Sequence, residues 1–209
     1  IPFIPKNVKT IWECAGGGLQ ITNRLKECGY NVITSDIRIE EGIFYHNFLD
    51  GKVDFEFDCI VTNPPYSLKE KFYKKCLEYE IYSALLVPTD YSGWIINAIR
   101  NDGAEKIIPT RRINYITPNI CNNVWKGETK CLIEKEMGIK FKKQSDIPEH
   151  IWERYKNRLV QYDRYQDIPT DLMMKYSAAQ FHSMWLTYGF NLGKSENFID
   201  LMKDTMYNI

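Results

Sequence analysis

A strand, a glycine-rich turn, a helix and a second strand follow one another near the start of this chain, and this order constrains its fold most. The apolar run Thr10–Cys14 predicts a buried strand that leads directly into Ala15-Gly16-Gly17-Gly18. An amphipathic segment over residues 21–28 predicts the helix, and Asn31–Asp36 predicts the second strand. Glycines let a ligand approach the backbone at a helix N-terminus, so this order is typical of a nucleotide-binding unit.

The carboxylate that ends the second strand supports this interpretation. Asp36 comes about 20 residues after the glycine turn, where nucleotide-binding folds place an acid against ribose hydroxyls. A simple tight turn and an ordinary loop acid would each produce part of this pattern. Together, the turn and Asp36 favour a pocket for an adenosyl ligand.

A second informative segment is Asn63-Pro64-Pro65-Tyr66, which ends the apolar run Phe57–Thr62. Each proline fixes φ at about −65° and removes an N–H, so carbonyl groups and the Asn63 side chain point out of the strand end. Such a loop holds hydrogen-bond acceptors beside an aromatic ring, which suits a planar group that carries an NH2, such as a nucleobase. The alternative is a strand-ending turn in which Tyr66 is an ordinary core residue.

Asn63-Pro64-Pro65-Tyr66 resembles the Asn/Asp-Pro-Pro-Tyr/Phe signature of the S-adenosylmethionine-dependent methyltransferases that modify exocyclic or amide nitrogens. The resemblance extends over residues 1–135 and implies an enzyme that methylates the N6 amine of adenine in DNA. In that reading, the Asn63 side-chain oxygen and the Pro64 carbonyl accept hydrogen bonds from the amine, and the methyl group moves by direct displacement. Pro65 and Tyr66 complete the catalytic loop, and the ring stacks on a flipped-out or single-stranded base.

The same resemblance assigns residues to the expected cofactor, S-adenosylmethionine. They lie in three short segments: Glu13, Ala15, Gly16, Gly17 and Gly18; Asp36 and Ile37; Asn47 and Phe48. The chain departs from the family pattern Glu-x-Ala-x-Gly-x-Gly at Leu19, which stands where the last glycine is expected. Either neighbouring glycines serve in a shifted register, or the leucine side chain crowds the methionine end of the pocket.

Tyr115 is the expected second wall of the base pocket, because Arg111–Tyr115 resembles the family's eighth motif. The alternative is a plain strand with a basic start. Carbon methylation of cytosine would need a cysteine in a loop like that of Asn63, and none of the six cysteines stands in one.

The expected fold class is α/β, with a Rossmann-like methyltransferase fold in which a mostly parallel sheet ends in an antiparallel hairpin. Residues 1–136 are expected to form the methyltransferase domain. Residues 137–209 are expected to form a helical C-terminal extension, and this extension or the loops around Asn119–Lys130 would select the target. Later elements are predicted from apolar patterns: helices at Leu68–Tyr79 and Tyr91–Ile99, strands at Ser83–Val87, Ile113–Ile116 and Lys130–Glu134, and C-terminal helices that start at Ile147 and span Asp171–Tyr188 and Ser195–Tyr207.

The amino-acid composition bears on nucleic-acid binding, metal binding and membrane insertion. The 209 residues carry 27 basic and 27 acidic side chains, so the chain lacks the basic excess usual in duplex-binding proteins. Three scattered histidines and six cysteines without CxxC spacing predict no metal site and indicate reduced thiols of a cytoplasmic protein. No apolar stretch reaches the roughly 18 residues that a membrane helix needs.

Two alternatives to DNA adenine methylation remain open. The same loop occurs in relatives that act on RNA bases or on the glutamine amide of a protein. A chain with Leu19 at the glycine position is also compatible with a non-catalytic subunit that keeps the fold without binding the cofactor.

Overall fold

An eight-stranded sheet organises this α/β protein, whose computed structural model describes residues 2–38, 42–113, 119–164, 167–176 and 182–200. The strands are β1 (Thr10–Glu13), β2 (Asn31–Asp36), β3 (Phe44–Tyr45), β4 (Cys59–Thr62), β5 (Tyr82–Pro88), β6 (Glu105–Pro109), β7 (Ser183–Tyr188) and β8 (Glu196–Ile199). The helices are α1 (Gln20–Glu27), α2 (Lys69–Leu77), α3 (Gly93–Asn101), α4 (Ile120–Met137), α5 (Glu149–Tyr155) and α6 (Thr170–Tyr176), with 3₁₀ turns at Tyr66–Leu68 and Gln144–Asp146.

The strand order is β3-β2-β1-β4-β5-β7-β6-β8, and only β7 runs antiparallel to its neighbours. The chain builds outward from β1 through β2 to β3 and then crosses back to place β4 on the other side of β1. Open α/β sheets bind ligands outside the carboxyl ends of the strands where the order reverses in this way. The carboxyl ends of β1 and β4 therefore mark the expected ligand position. The observed sheet is compatible with a Rossmann-like fold.

The core beneath these strand ends is aromatic. Trp12 of β1 is fully buried, and the rings of Phe48, Phe55 and Phe57 lie with centroids 5.0–5.2 Å from its own, all in edge-on contacts. Its indole N–H donates to the hydroxyl of Ser35 in β2 at 2.9 Å. Four consecutive buried residues form β4, as expected for a strand covered on both faces.

The strand predicted at Lys130–Glu134 is wrong, because these residues lie within the continuous helix α4. Its buried residues include Ile120, Val124 and Ile133, and a short apolar run such as the one before Glu134 fits a buried helix as well as a strand. The strand predicted at Ile113–Ile116 lies outside the described residues, apart from the buried Ile113, which follows β6.

Two of the three predicted C-terminal helices are present at their starts, and the third, predicted at Ser195–Tyr207, is wrong where the structure describes it, because residues 196–199 form a strand. The helix expected from Ile147 onward is present as α5, and the one expected at Asp171–Tyr188 ends at Tyr176, within α6. Residues 183–188 form β7, between β5 and β6, and residues 196–199 form β8. The apolar run in Ser183–Tyr188 is buried on both faces, so helical spacing is a coincidence there. The antiparallel pairing expected at residues 113–134 is instead made by β7 with β5 and β6.

The expected domain boundary at residue 136 stays a prediction, and the chain forms two compact units. One compact unit comprises Ile1–Ile113 and Gln180–Ile209, and the other comprises Asn114–Ala179. The second unit is therefore an insertion between β6 and β7, and it contains α4, α5 and α6. Within it, the indole N–H of Trp125 donates to the carbonyl of Lys156 at 3.0 Å. None of the helices described is both long and apolar enough to span a membrane.

Candidate functional site

Three of the predicted segments come together at one edge of the sheet. The glycine turn follows β1, Asp36 ends β2, and Asn63 follows β4, and these three strands are adjacent and parallel. Carboxyl ends of parallel strands lie at the same edge, which we call the carboxyl edge. The sequence prediction that these segments share a site is compatible with this arrangement.

The glycine turn is tied to β2 by its backbone. Gly16 donates its N–H to the carbonyl of Ser35 at 2.9 Å, and a Cβ at Gly16 would overlap the methyl group of Thr34. Gly17 has φ of +49° and donates its N–H to Asp36 Oδ2 at 3.0 Å. A side chain at Gly16 would push the turn away from β2, so these two glycines fix the position of the turn.

Leu19 occupies a backbone conformation that glycine prefers. It stands at the N-cap of α1 with φ of 65° and ψ of 12°, in the left-handed region. For a residue with a Cβ this conformation costs roughly 1–2 kcal/mol. A glycine at position 19 would therefore relieve backbone strain. Leu19 adopts the backbone conformation that a glycine would have there, although it carries a side chain.

Glu13 lies behind the turn. It is 1% exposed, and the hydroxyl of Thr22 in α1 donates to its Oε2 at 3.0 Å. Burial raises the pKa of Glu13 to about 8, against the lowering effect of the Thr22 hydrogen bond. The carboxyl group thus links β1 to α1, and its assignment to the cofactor stays a prediction.

Asp36 is buried and heavily hydrogen-bonded. Besides the Gly17 N–H, it accepts the backbone N–H of Arg38 on Oδ1 at 2.9 Å and the guanidinium of Arg38 at 3.2 Å. Burial acts to raise its pKa, but the hydrogen bonds from Arg38 and Gly17 outweigh burial, and the net pKa is lowered. Asp36 is therefore ionised at neutral pH. The neighbouring Ile37 side chain is 61% exposed and gives the carboxyl edge an apolar surface.

Asn47 and Phe48 follow β3. The Asn47 side chain caps its own turn, since its oxygen accepts the N–H of Leu49 at 3.2 Å and its amide donates to Asp50 at 3.0 Å. Phe48 is 1% exposed, and its ring centroid lies 4.9 Å from that of Phe72. Phe48 is thus a core residue in this structure, and its contact with a cofactor stays a prediction.

The Asn63–Tyr66 corner, formed by residues 63–66, carries one of several buried polar side-chain atoms without a hydrogen-bond partner among the described residues; Thr62 and Thr89 near the same edge carry others. The side-chain oxygen of Asn63 is buried and has no hydrogen-bond partner among the described residues. Pro64 is buried, Pro65 is exposed, and the half-buried Tyr66 opens a 3₁₀ turn. A buried acceptor without a partner costs about 1–3 kcal/mol, and a ligand that donates a hydrogen bond to Asn63 would remove this cost.

A cavity of about 680 Å³ lies elsewhere, beside β2 and β3, and is lined by Ile33, Phe44, His46 and residues 52–55. It does not include the Asn63–Tyr66 corner. Tyr115, the expected second wall of the base pocket, lies outside the described residues. Within the described ranges, no group of three or more His, Cys, Asp or Glu side chains is placed to hold a metal ion.

Sequence reasoning places Lys69 on the outer face of a helix, in a basic cluster able to contact phosphates, and does not predict the ion pairs near the carboxyl edge. Lys69, the first residue of α2, places its ammonium 2.6 Å from Asp90 Oδ2, and Asp90 follows β5. Arg38 was missed. A basic residue at the first position of a helix is locally unfavourable, and this was the available signal for Lys69.

Comparison with known proteins adds no assignment: neither a protein-family model nor a curated protein matches the sequence.

Proposed function

We propose that this protein transfers a methyl group from S-adenosylmethionine to the exocyclic N6 amine of adenine in DNA. The observation that carries the proposal is the buried, unpartnered side-chain oxygen of Asn63 at the strand end where the sheet order reverses. The reaction class comes from the resemblance of Asn63-Pro64-Pro65-Tyr66 to the methyltransferase signature. The unpartnered Asn63 oxygen is consistent with the role that this signature gives to the asparagine.

An exocyclic amine can donate the hydrogen bond that the Asn63 side-chain oxygen lacks. It offers two N–H donors in one plane, and the Pro64 carbonyl next to Asn63 is a second acceptor on a stiff backbone. Two in-plane acceptors hold the amine in a pyramidal form, with its lone pair directed away from both of them. Neither an amide oxygen nor a peptide carbonyl is basic enough to take the amine proton, so the proton passes to water.

The residues of the carboxyl edge fit the proposed cofactor. Asp36 is an ionised acceptor for ribose hydroxyls, and Ile37 offers exposed apolar surface to a purine. Gly17 and the exposed Gly18 have no Cβ, and the Gln20 side chain lies where a Cβ at Gly18 would stand, so a ligand reaches the Gly18 backbone only when Gln20 moves. When bound, S-adenosylmethionine supplies an electrophilic methyl group. Tyr66 is proposed to stack on the base, which must leave the duplex or be single-stranded to reach the corner.

The sheet supports the finer fold assignment that we propose, a Rossmann-like methyltransferase fold. It is mostly parallel and contains one antiparallel strand near its end, as the resemblance implies. The chain leaves β6 and returns to β7 at the carboxyl edge, because β6 is parallel to β4 and β5 while β7 is antiparallel to them. We propose that target recognition belongs to the inserted unit, residues 114–179, because it contains Asn119–Lys130 and part of the C-terminal extension, the segments to which the sequence assigns that role.

The deciding experiment supplies methyl-labelled S-adenosylmethionine with DNA, RNA and protein in separate reactions. Label recovered in N6-methyladenine of DNA is the expected result. Label recovered in RNA or protein instead would mean that the Asn63–Tyr66 corner methylates an amine or amide of that polymer and not of DNA. Protein that binds the cofactor but labels no adenine in any DNA refutes the proposed activity.

The strained Leu19 favours a second candidate, a non-catalytic subunit that does not bind the cofactor. Its side chain stands at the glycine turn, where close approach to a ligand is expected. Calorimetry separates the candidates, because absence of heat with S-adenosylmethionine at high micromolar concentration supports only the non-catalytic one.

A further inference from the structure

We propose that Lys69 is a positioning residue that fixes the Asn63–Tyr66 corner through its ion pair with Asp90. This inference rests on the proposed methyl transfer for its kinetic consequence, whereas its structural consequence is measurable without any activity.

The pair is part of a small polar cluster. The Lys69 ammonium lies 2.6 Å from Asp90 Oδ2, and Asp90 Oδ1 accepts the N–H of Ser92 at 3.0 Å and its hydroxyl at 2.6 Å. The ammonium also lies 5.8 Å from the ring centroid of Trp94. The side chains of Lys69 and Asp90 are only 22% and 31% exposed, so solvent screens the pair less than an ordinary surface pair.

The cluster joins loops that follow two adjacent strands. Lys69 comes directly after the 3₁₀ turn Tyr66–Leu68, in the loop region that follows β4. Asp90 follows β5, which pairs with β4 in parallel register. The ion pair therefore fastens the segment after Asn63 to the neighbouring loop at the same edge of the sheet.

The backbone of the corner offers few hydrogen-bond donors. Both prolines lack an N–H, and the turn is closed by the N–H of Leu68, which donates to the carbonyl of Pro65 at 2.8 Å. The N-cap residues of the turn and of α2 make no side-chain capping bond. A lysine at the first position of a helix opposes the helix dipole, and Asp90 offsets that cost.

Loss of the pair is expected to loosen the corner without unfolding the protein. A displacement of about 1 Å at a reacting group can cost about 100-fold in rate. We expect Lys69→Met to lower kcat by about 10- to 100-fold at saturating cofactor and DNA. The Kd for S-adenosylmethionine should stay within twofold to threefold, because the residues assigned to the cofactor lie on other segments.

The experiment compares K69M, K69R and D90N with a matched control, K74M. Lys74 lies on the same helix and pairs with Glu70 at 2.8 Å, but this pair is exposed and contributes little. Amide hydrogen exchange over residues 62–72 is measured with kcat, KM and cofactor Kd. K69M and D90N should raise exchange about tenfold and lower kcat, K69R should recover most of both, and K74M should match the wild type.

Two results overturn the inference. Unchanged exchange over residues 62–72 in K69M shows that the pair does not hold the corner, whatever the activity. Increased exchange with wild-type kcat shows that the position of the corner does not limit the reaction. A wild-type protein that transfers no methyl group refutes the proposed function instead, and the exchange data then still decide whether Lys69 positions the corner.

Discussion

The guanidinium of Arg38 contacts both carboxylate oxygens of Asp36, at 3.2 Å from Oδ1 and 3.4 Å from Oδ2. The acid proposed to hold the ribose hydroxyls therefore already has a cationic partner two residues away. A ligand that uses Asp36 must share or displace this partner.

Replacement of Arg38 by alanine should strengthen binding of S-adenosylmethionine. The Arg38 side chain is 58% exposed, so its pair with Asp36 is worth at most about 1 kcal/mol, and its removal should raise affinity by up to about fivefold. Calorimetry checks this, with R24A as a control because the Arg24 side chain is about as exposed as that of Arg38, and its partner Glu27 lies away from the carboxyl edge, on α1. Weaker binding in R38A would mean that Arg38 itself contacts the cofactor.

Asn63→Ala should separate activity from stability. Activity should fall at least 100-fold, comparable to the loss of one transition-state hydrogen bond in other enzymes, while cofactor affinity stays within about twofold. Because the Asn63 oxygen is buried without a partner, its removal should leave the unfolding free energy unchanged or raise it by about 1 kcal/mol. Urea unfolding and methyl-transfer rates measure the two effects. A loss of stability together with the loss of activity would assign Asn63 a structural role.

The first half of the fold was predictable because its signals are local. Thr10–Glu13 and Asn31–Asp36 are short apolar runs bounded by glycine turns and polar residues, and the structure forms strands at both. The Asn63–Tyr66 corner was recognisable for the same reason, since proline fixes the backbone whatever surrounds it. What the sequence did not contain was the unpartnered state of the Asn63 oxygen, which depends on every neighbouring residue.

The second half was not predictable from local signals. Ser183–Tyr188 has apolar residues at helical spacing, yet it forms the strand β7, because its backbone pairs with β5 on one side and with β6 on the other. The paired residues of β6 and β7 are 78 to 82 positions apart in the chain, and no local sequence pattern indicates so distant a partner. The ion pair between Lys69 and Asp90 was not predicted, because a pair between residues 21 positions apart leaves no periodic pattern in the sequence.

Leu19→Gly should stabilise the protein. Glycine adopts φ of 65° without strain, which recovers roughly 1–2 kcal/mol, while its greater freedom in the unfolded chain costs about 0.5–1 kcal/mol. We expect a net gain of about 0.5–1 kcal/mol in unfolding free energy. Leu25→Ala is the comparison, because Leu25 is 3% exposed in the same helix and its truncation should cost about 2–5 kcal/mol. A net loss in L19G would show that the Leu19 side chain contributes more by packing than its backbone costs.

Glu13 should make the protein less stable as pH rises from about 4.5 to about 8. The ordinary pKa of a glutamate carboxyl group is 4.5 and the pKa of Glu13 in the folded chain is about 8, so between these pH values the folded state holds a proton that the unfolded state has lost. The contribution of Glu13 to the unfolding free energy is therefore largest at acidic pH, falls between pH 4.5 and about 8, and is constant above that range. The whole change is at most about 5 kcal/mol.

Glu13→Gln removes the ionisation and keeps an acceptor for the Thr22 hydroxyl, which lies 3.0 Å from Glu13 Oε2. The difference in unfolding free energy between wild type and E13Q, measured by urea titration at pH 5, 7 and 8.5 under otherwise identical conditions, isolates Glu13 from Asp36 and the other acids. The wild type should lose stability relative to E13Q at each step toward pH 8.5. A constant difference over this range would mean that water reaches the Glu13 carboxyl group and that it ionises in the folded protein near its ordinary pKa.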